Sequence, residues 1–164
     1  MAAVTPLEYA IKLEQDGLAF YTQAAADTTN PLGKKMFEGL AADETRHERI
    51  LRQVAADMQV TLDDKLPKDR IVTLFATLGE ELRSQLDAGA GDTDVIDNAL
   101  VMERAAEAHF RSCAADASDD LKALYERLAL EESQHVDILE NTKTYLNDTG
   151  HWFCWDEGSV LDGG

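Results

Sequence analysis

Four amphipathic stretches of this chain carry ionisable side chains at the middle of their apolar stripes, where a helix buries itself most deeply. The first stripe runs Leu7, Ile11, Glu14, Leu18, Tyr21, Ala25, and the second Phe37, Leu40, Glu44, His47, Leu51, Val54, Met58. The third is Ile96, Leu100, Glu103, Glu107, Phe110, Ala114, and the fourth Tyr125, Leu128, Glu132, His135, Leu139, Thr142, Leu146. Steps of three and four residues put each series on one face of a helix, the face that turns towards a core. A carboxylate buried there without compensation costs on the order of several kcal/mol. Any fold available to this chain must bury the four stripes and neutralise what sits in their centres.

Local signals divide the chain into helices. Thr5-Pro6-Leu7-Glu8 reads as a capping box with proline at the first helical position, and Asn30-Pro31 repeats the cap-plus-proline signal. Thr93 or Asp94 can cap a third helix and Ser118 a fourth, which ends near Thr149-Gly150. Long helices are therefore expected at about 5–28, 31–58, 93–117 and 119–147. The connection 59–92 holds a further amphipathic series, Ile71, Leu74, Phe75, Leu78, Leu82, Leu86. A helix there is long enough to run most of the length of a bundle, which makes the second and third helices parallel and the two hairpins antiparallel. The expected fold is all-α, an antiparallel four-helix bundle over residues 1–148 with a long helical crossover between its second and third helices. An aromatic tail, 149–164, contains His151-Trp152-Phe153-Cys154-Trp155 and is expected to pack on the bundle or on a partner subunit.

Composition narrows the function classes. With 45% apolar residues, 10 Gly and 3 Pro in 164 residues, the chain suits one helical domain with a real core. A formal net charge of −17, spread along the chain, argues against nucleic acid. No apolar run approaches the roughly 20 residues that span a bilayer, and the amino terminus lacks the features of a secretory signal. Two cysteines, Cys113 and Cys154, make neither a four-cysteine metal site nor a disulfide framework, so a cytoplasmic protein is expected.

The two hairpins also resemble each other. FEGLAADETRHERIL (37–51) aligns with YERLALEESQHVDIL (125–139), matching Glu44 with Glu132 and His47 with His135. A similar shift brings Glu14 onto Glu103. The chain reads as a duplicated helix pair about an approximate twofold axis.

On a helix, residues three apart project to the same side. Glu44-x-x-His47 and Glu132-x-x-His135 each present a carboxylate with an imidazole, while Glu14 and Glu103 each add a carboxylate from the other two helices. One Glu-x-x-His arises often by chance in Glu-rich helices; two in aligned repeats, with partner glutamates in register, are a strong signal together. Four carboxylates and two imidazoles on four helices form the ligand set of a dinuclear iron or manganese site. Two divalent ions would balance four carboxylates, and hard oxygen donors with imidazole suit iron or manganese better than zinc.

Glu14, Glu44-x-x-His47, Glu103 and Glu132-x-x-His135 resemble the rubrerythrin branch of the ferritin-like superfamily over about residues 5–147. The resemblance implies that Glu44 and Glu132 bridge two irons, with Glu14 and His47 as terminal ligands of one and Glu103 and His135 of the other. It also implies a seventh ligand, a second glutamate on the third helix. Glu107, one turn after Glu103 on the same stripe, is the candidate for it. The family spacing is three residues, however, whereas here it is four and Ala106 stands at the expected place, so a ligand or supporting role for Glu107 and a structural or solvent-facing one both stay open.

Rubrerythrins reduce hydrogen peroxide, and full-length members carry a four-cysteine rubredoxin-like centre that feeds in electrons. This chain has no Cys-x-x-Cys, so the resemblance implies a separate electron-donor protein, with peroxide or dioxygen as the oxidant and a homodimer as the assembly. A ferroxidase or iron-storage protein is the rival reading, and a non-enzymatic helical interaction module the third.

Overall fold

The computed structural model describes residues 4–57, 62, 65–68 and 92–149. Four helices are present among them: α1 (Pro6–Asp27), α2 (Pro31–Ala55), α3 (Asp92–Asp116) and α4 (Asp119–Thr149), and no strand. The first two start where their capping signals lie. Thr5 Oγ1 accepts from Glu8 N at 3.2 Å while Glu8 Oε2 accepts from Thr5 N at 2.8 Å. Asn30 Oδ1 accepts from the backbone of Leu32 and Gly33 at 3.0 and 3.1 Å. α2 stops three residues before the expected end, and Asp57 beyond it takes a left-handed φ of 54°.

Two apolar clusters fix the directions of the helices. One joins the end of α1 (Tyr21, Ala24, Ala25), the start of α2 (Leu32, Met36, Phe37), the start of α3 (Ile96, Ala99, Leu100) and the later part of α4 (Ile138, Leu139, Leu146). The other joins the start of α1 (Ala10), the end of α2 (Ile50, Leu51), the later part of α3 (Phe110, Cys113, Ala114) and the start of α4 (Leu124, Tyr125, Leu128). Thus α2 and α3 run parallel, each antiparallel to its hairpin partner, and the chain between them must travel from one end of the bundle to the other. This is a ferritin-like four-helix bundle. The expected crossover helix over Ile71–Leu86 and the aromatic tail from residue 150 lie outside the described residues.

The clusters occupy opposite ends of the bundle and leave a polar layer between them. α1 packs closely on α3 in this bundle, where His109 Nε2 also bonds the Pro6 carbonyl at 2.8 Å. α2 and α4 share both apolar clusters and meet between them through Asp43, Arg46 and His47 of α2 and Glu131, Glu132 and His135 of α4. None of the described helices is long and apolar enough to cross a membrane.

Candidate metal centre

The polar layer gathers six of the seven sequence-predicted residues. Donor atoms of Glu14, Glu44, His47 and Glu132 lie within 4.8 Å of one another, and so do those of Glu44, Glu103, Glu132 and His135. The two groups share Glu44 and Glu132, one from each Glu-x-x-His pair. Glu14, His47, Glu132 and His135 have no exposed surface, and Glu44 and Glu103 retain 3% each. Burial this deep follows from the stripes: apolar residues on either side of this level, such as Ala10, Leu40, Ile50, Leu100, Leu128 and Leu139, enter the two clusters and carry the polar ones inside with them.

Both imidazoles turn the same atom inwards. His47 Nδ1 lies 3.2 Å from Glu14 Oε2 and 2.8 Å from Glu132 Oε1. His135 Nδ1 lies 3.1 Å from Glu132 Oε2 and 3.4 Å from Glu44 and Glu103 Oε1. The outer nitrogens are held by carboxylates of the opposite hairpin. His47 Nε2 donates to Glu131 Oε2 at 2.9 Å, and His135 Nε2 to Asp43 Oδ2 at 3.2 Å. A carboxylate behind the far nitrogen fixes the ring and leaves the near nitrogen free to ligate, the usual second layer of a histidine–metal site. Arg46 bridges the two outer carboxylates, bonding Glu131 and, at 3.1 Å, Asp43. Arg127 adds a 2.9 Å bond to Glu131 Oε1.

Electrostatics of the polypeptide alone are strained. Burial, then the charges of Glu44 and Glu132, push the carboxyl of Glu14 well above its ordinary range. Glu103 is raised likewise by burial, with Glu44 and Glu132 adding to it against His135. Burial opposes the charged form of both histidines, but their acidic neighbours prevail and raise them well above 6.5. Glu132 is driven far down, because the two imidazoles outweigh its burial. Glu131 falls to about 2: its burial would raise it, yet His47 and Arg46 override that.

Three carboxylate oxygens in the layer, Glu14 Oε1, Glu44 Oε1 and Glu132 Oε1, are buried without a hydrogen-bond partner; the 2.8 Å approach of Glu132 Oε1 to His47 Nδ1 does not have hydrogen-bond geometry. Orphaned buried acceptors are costly and rare. Cations answer all three at once, and the donor set of oxygen plus imidazole fits iron or manganese.

Tyr21, fully buried, donates its phenol hydrogen to Glu103 Oε1 and stacks on Phe37 at 6.2 Å between centroids. The sequence marks it as a core residue, and no pattern in the chain foretells the bond. Glu107 stands apart from both groups. Its carboxylate accepts from Arg111 at 2.9 and 2.6 Å on the same helix. A stripe drifts by about 20° per heptad on a straight helix. By this level of α3 it has moved to Ala106, Phe110 and Cys113, leaving Glu107 at its edge.

Asp43, Glu131, Arg46 and Arg127 escape a search for ligand spacings. A trace of the first two exists in the repeat: an acidic residue precedes each motif glutamate, in Asp43-Glu44 and Glu131-Glu132. The family model described as Rubrerythrin matches residues 6–143, nearly the whole bundle. No curated protein and no solved structure matches the chain.

Proposed function

Because this chain belongs to the rubrerythrin family, we propose that its polar layer holds two iron ions and that the protein reduces hydrogen peroxide. Glu14, Glu44, His47 and Glu132 would hold one ion, and Glu44, Glu103, Glu132 and His135 the other. The observation that carries this reading is the pair of overlapping donor groups, buried and sharing two carboxylates, with three oxygens left without a hydrogen bond.

A ferrous pair supplies two electrons together, so that H2O2 with two electrons and two protons gives two waters and no hydroxyl radical. The protein's own part is to hold the donors in place and keep bulk water out. Glu131 and Asp43 lock the imidazoles with Nδ1 inwards, and Tyr21 steadies Glu103. Burial and acidic neighbours make Glu14, Glu103 and both histidines hold protons more tightly than free side chains do, so metal uptake competes with protons and tightens as pH rises. Electrons arrive from a separate donor protein.

Anaerobic titration should find two Fe(II) per chain. In a stopped-flow instrument, peroxide should then oxidise the ferrous protein much faster than air-saturated buffer does. Faster oxidation by dioxygen, with iron accumulating beyond two per chain in a large assembly, would instead establish iron storage; a homodimer agrees with peroxide reduction. A chain that binds no metal would be left with the interaction-module reading, which the three orphaned oxygens disfavour.

A further inference from the structure

We propose that Gly17 is a positioning residue: it seats the carboxylate of Glu44 against α1, and this seat governs metal affinity at both positions. The inference rests on the two-metal reading above. A Cβ built at Gly17 would lie 2.7 Å from Glu44 Oε2, 3.2 Å from its Cδ and 3.5 Å from its Cγ. The first of these is closer than real Cβ atoms come to anything. The volume of a side chain at position 17 is therefore taken by the end of Glu44, which reaches it from α2.

Three further observations give that contact meaning. Gly17 lies three residues after Glu14, so its bare backbone faces the same side as a ligand position. It sits well inside α1, which runs unbroken from Pro6 to Asp27, so no cap or turn calls for glycine there. Glycine inside a helix is unfavourable relative to alanine. Glu44 is a member of both donor groups, so displacing it disturbs each of them.

Two comparisons inside the molecule isolate the effect. In the repeat, the residue three after Glu103 is Ala106, buried in the second apolar cluster, so α3 accepts a methyl group at the equivalent level. Gly39, exposed on α2, has nothing within 4 Å of where a Cβ would lie. Gly39 can become alanine without touching anything; Gly17 cannot.

The test uses the full chain, metal-free, titrated with Co(II), whose visible absorption reports coordination. Gly39→Ala should raise the metal-free Tm by about 2–4 °C, as a helix-favouring change in a chain of this size does, and leave Co(II) affinity unchanged. Gly17→Ala should remain helical, lose affinity at least about tenfold at both positions and show an altered Co(II) spectrum. Shortening the displaced side chain should relieve the crowding. The loss in Gly17→Ala/Glu44→Asp should thus be smaller than the two single losses combined. If Gly17→Ala alone fails to fold, the seat predicts that adding Glu44→Asp restores folding. Unchanged affinity and spectrum in Gly17→Ala, additive losses in the double variant, or no restoration would each overturn the inference. No Co(II) binding by the parent chain would instead overturn the two-metal reading.

Discussion

The hairpin α1–α2 and the hairpin α3–α4 place the same candidate donors, two carboxylates and an imidazole, at matching positions, yet they surround them differently. Tyr21 on α1 reaches across to Glu103, whereas its counterpart on α3 is Phe110, which has no donor to offer Glu14. Glu14 accordingly keeps an unpartnered oxygen. Arg46 on α2 corresponds to Gln134 on α4, and Arg127 on α4 to Gly39 on α2. Both arginines converge on Glu131, behind His47, and Arg46 also bonds Asp43, behind His135. On the proposed two-metal reading, each half must supply the same three donors. The supports around them are free to diverge, provided each buried charge finds a partner.

Substitutions can break this comparison, and the largest effect should come from the residues that belong to neither half alone. Glu44→Gln or Glu132→Gln removes a donor from both groups and should abolish binding of both ions, as read by metal content after desalting. Glu14→Gln or Glu103→Gln removes a donor from one group only, and should leave about one ion per chain. Equal losses from all four variants would mean that the two positions fill only as a unit.

A smaller effect separates the outer carboxylates. Glu131→Gln and Asp43→Asn should each weaken Co(II) binding by about 10–100-fold, as loss of a carboxylate behind a metal-bound histidine usually does. Glu131→Gln should be the more damaging, because it also strips Arg46 and Arg127 of their common acceptor. Equal losses in the two titrations would show that the arginines contribute nothing to the difference between halves.

The smallest effect sharpens the comparison by making the halves more alike. Tyr21→Phe copies Phe110 and removes one hydrogen bond from a buried carboxylate, which should cost the metal-free protein about 1–3 kcal/mol in denaturant unfolding. The metal-loaded protein should lose less if an ion takes up the freed oxygen.

Much of this was legible in the chain itself. Stripe spacing and capping residues place the helices, because amphipathic period and end-capping are local properties of consecutive residues. The two Glu-x-x-His pairs, Glu14 and Glu103 could be found because a helix converts a fixed spacing into a shared face. Their convergence required only that every stripe face one core. Glu107 shows where that reasoning weakens: a residue at the edge of a stripe is assigned by a few tens of degrees of helix rotation, and here it turns to Arg111.

Tertiary structure decided what depends on which helix faces which. Glu131 supports a histidine 84 positions earlier and Asp43 one 92 positions later, pairings that no local period encodes. The contact of Glu44 with Gly17 and the bond from Tyr21 to Glu103 likewise exist only once α2 and α3 lie against α1. The sequence alone determined four helices and a layer of six donors; the packing of those helices determined which atoms face inwards, what holds them, and how closely the backbones approach. Periodicity acts over a few residues, whereas these distances are set by the way whole helices fit together.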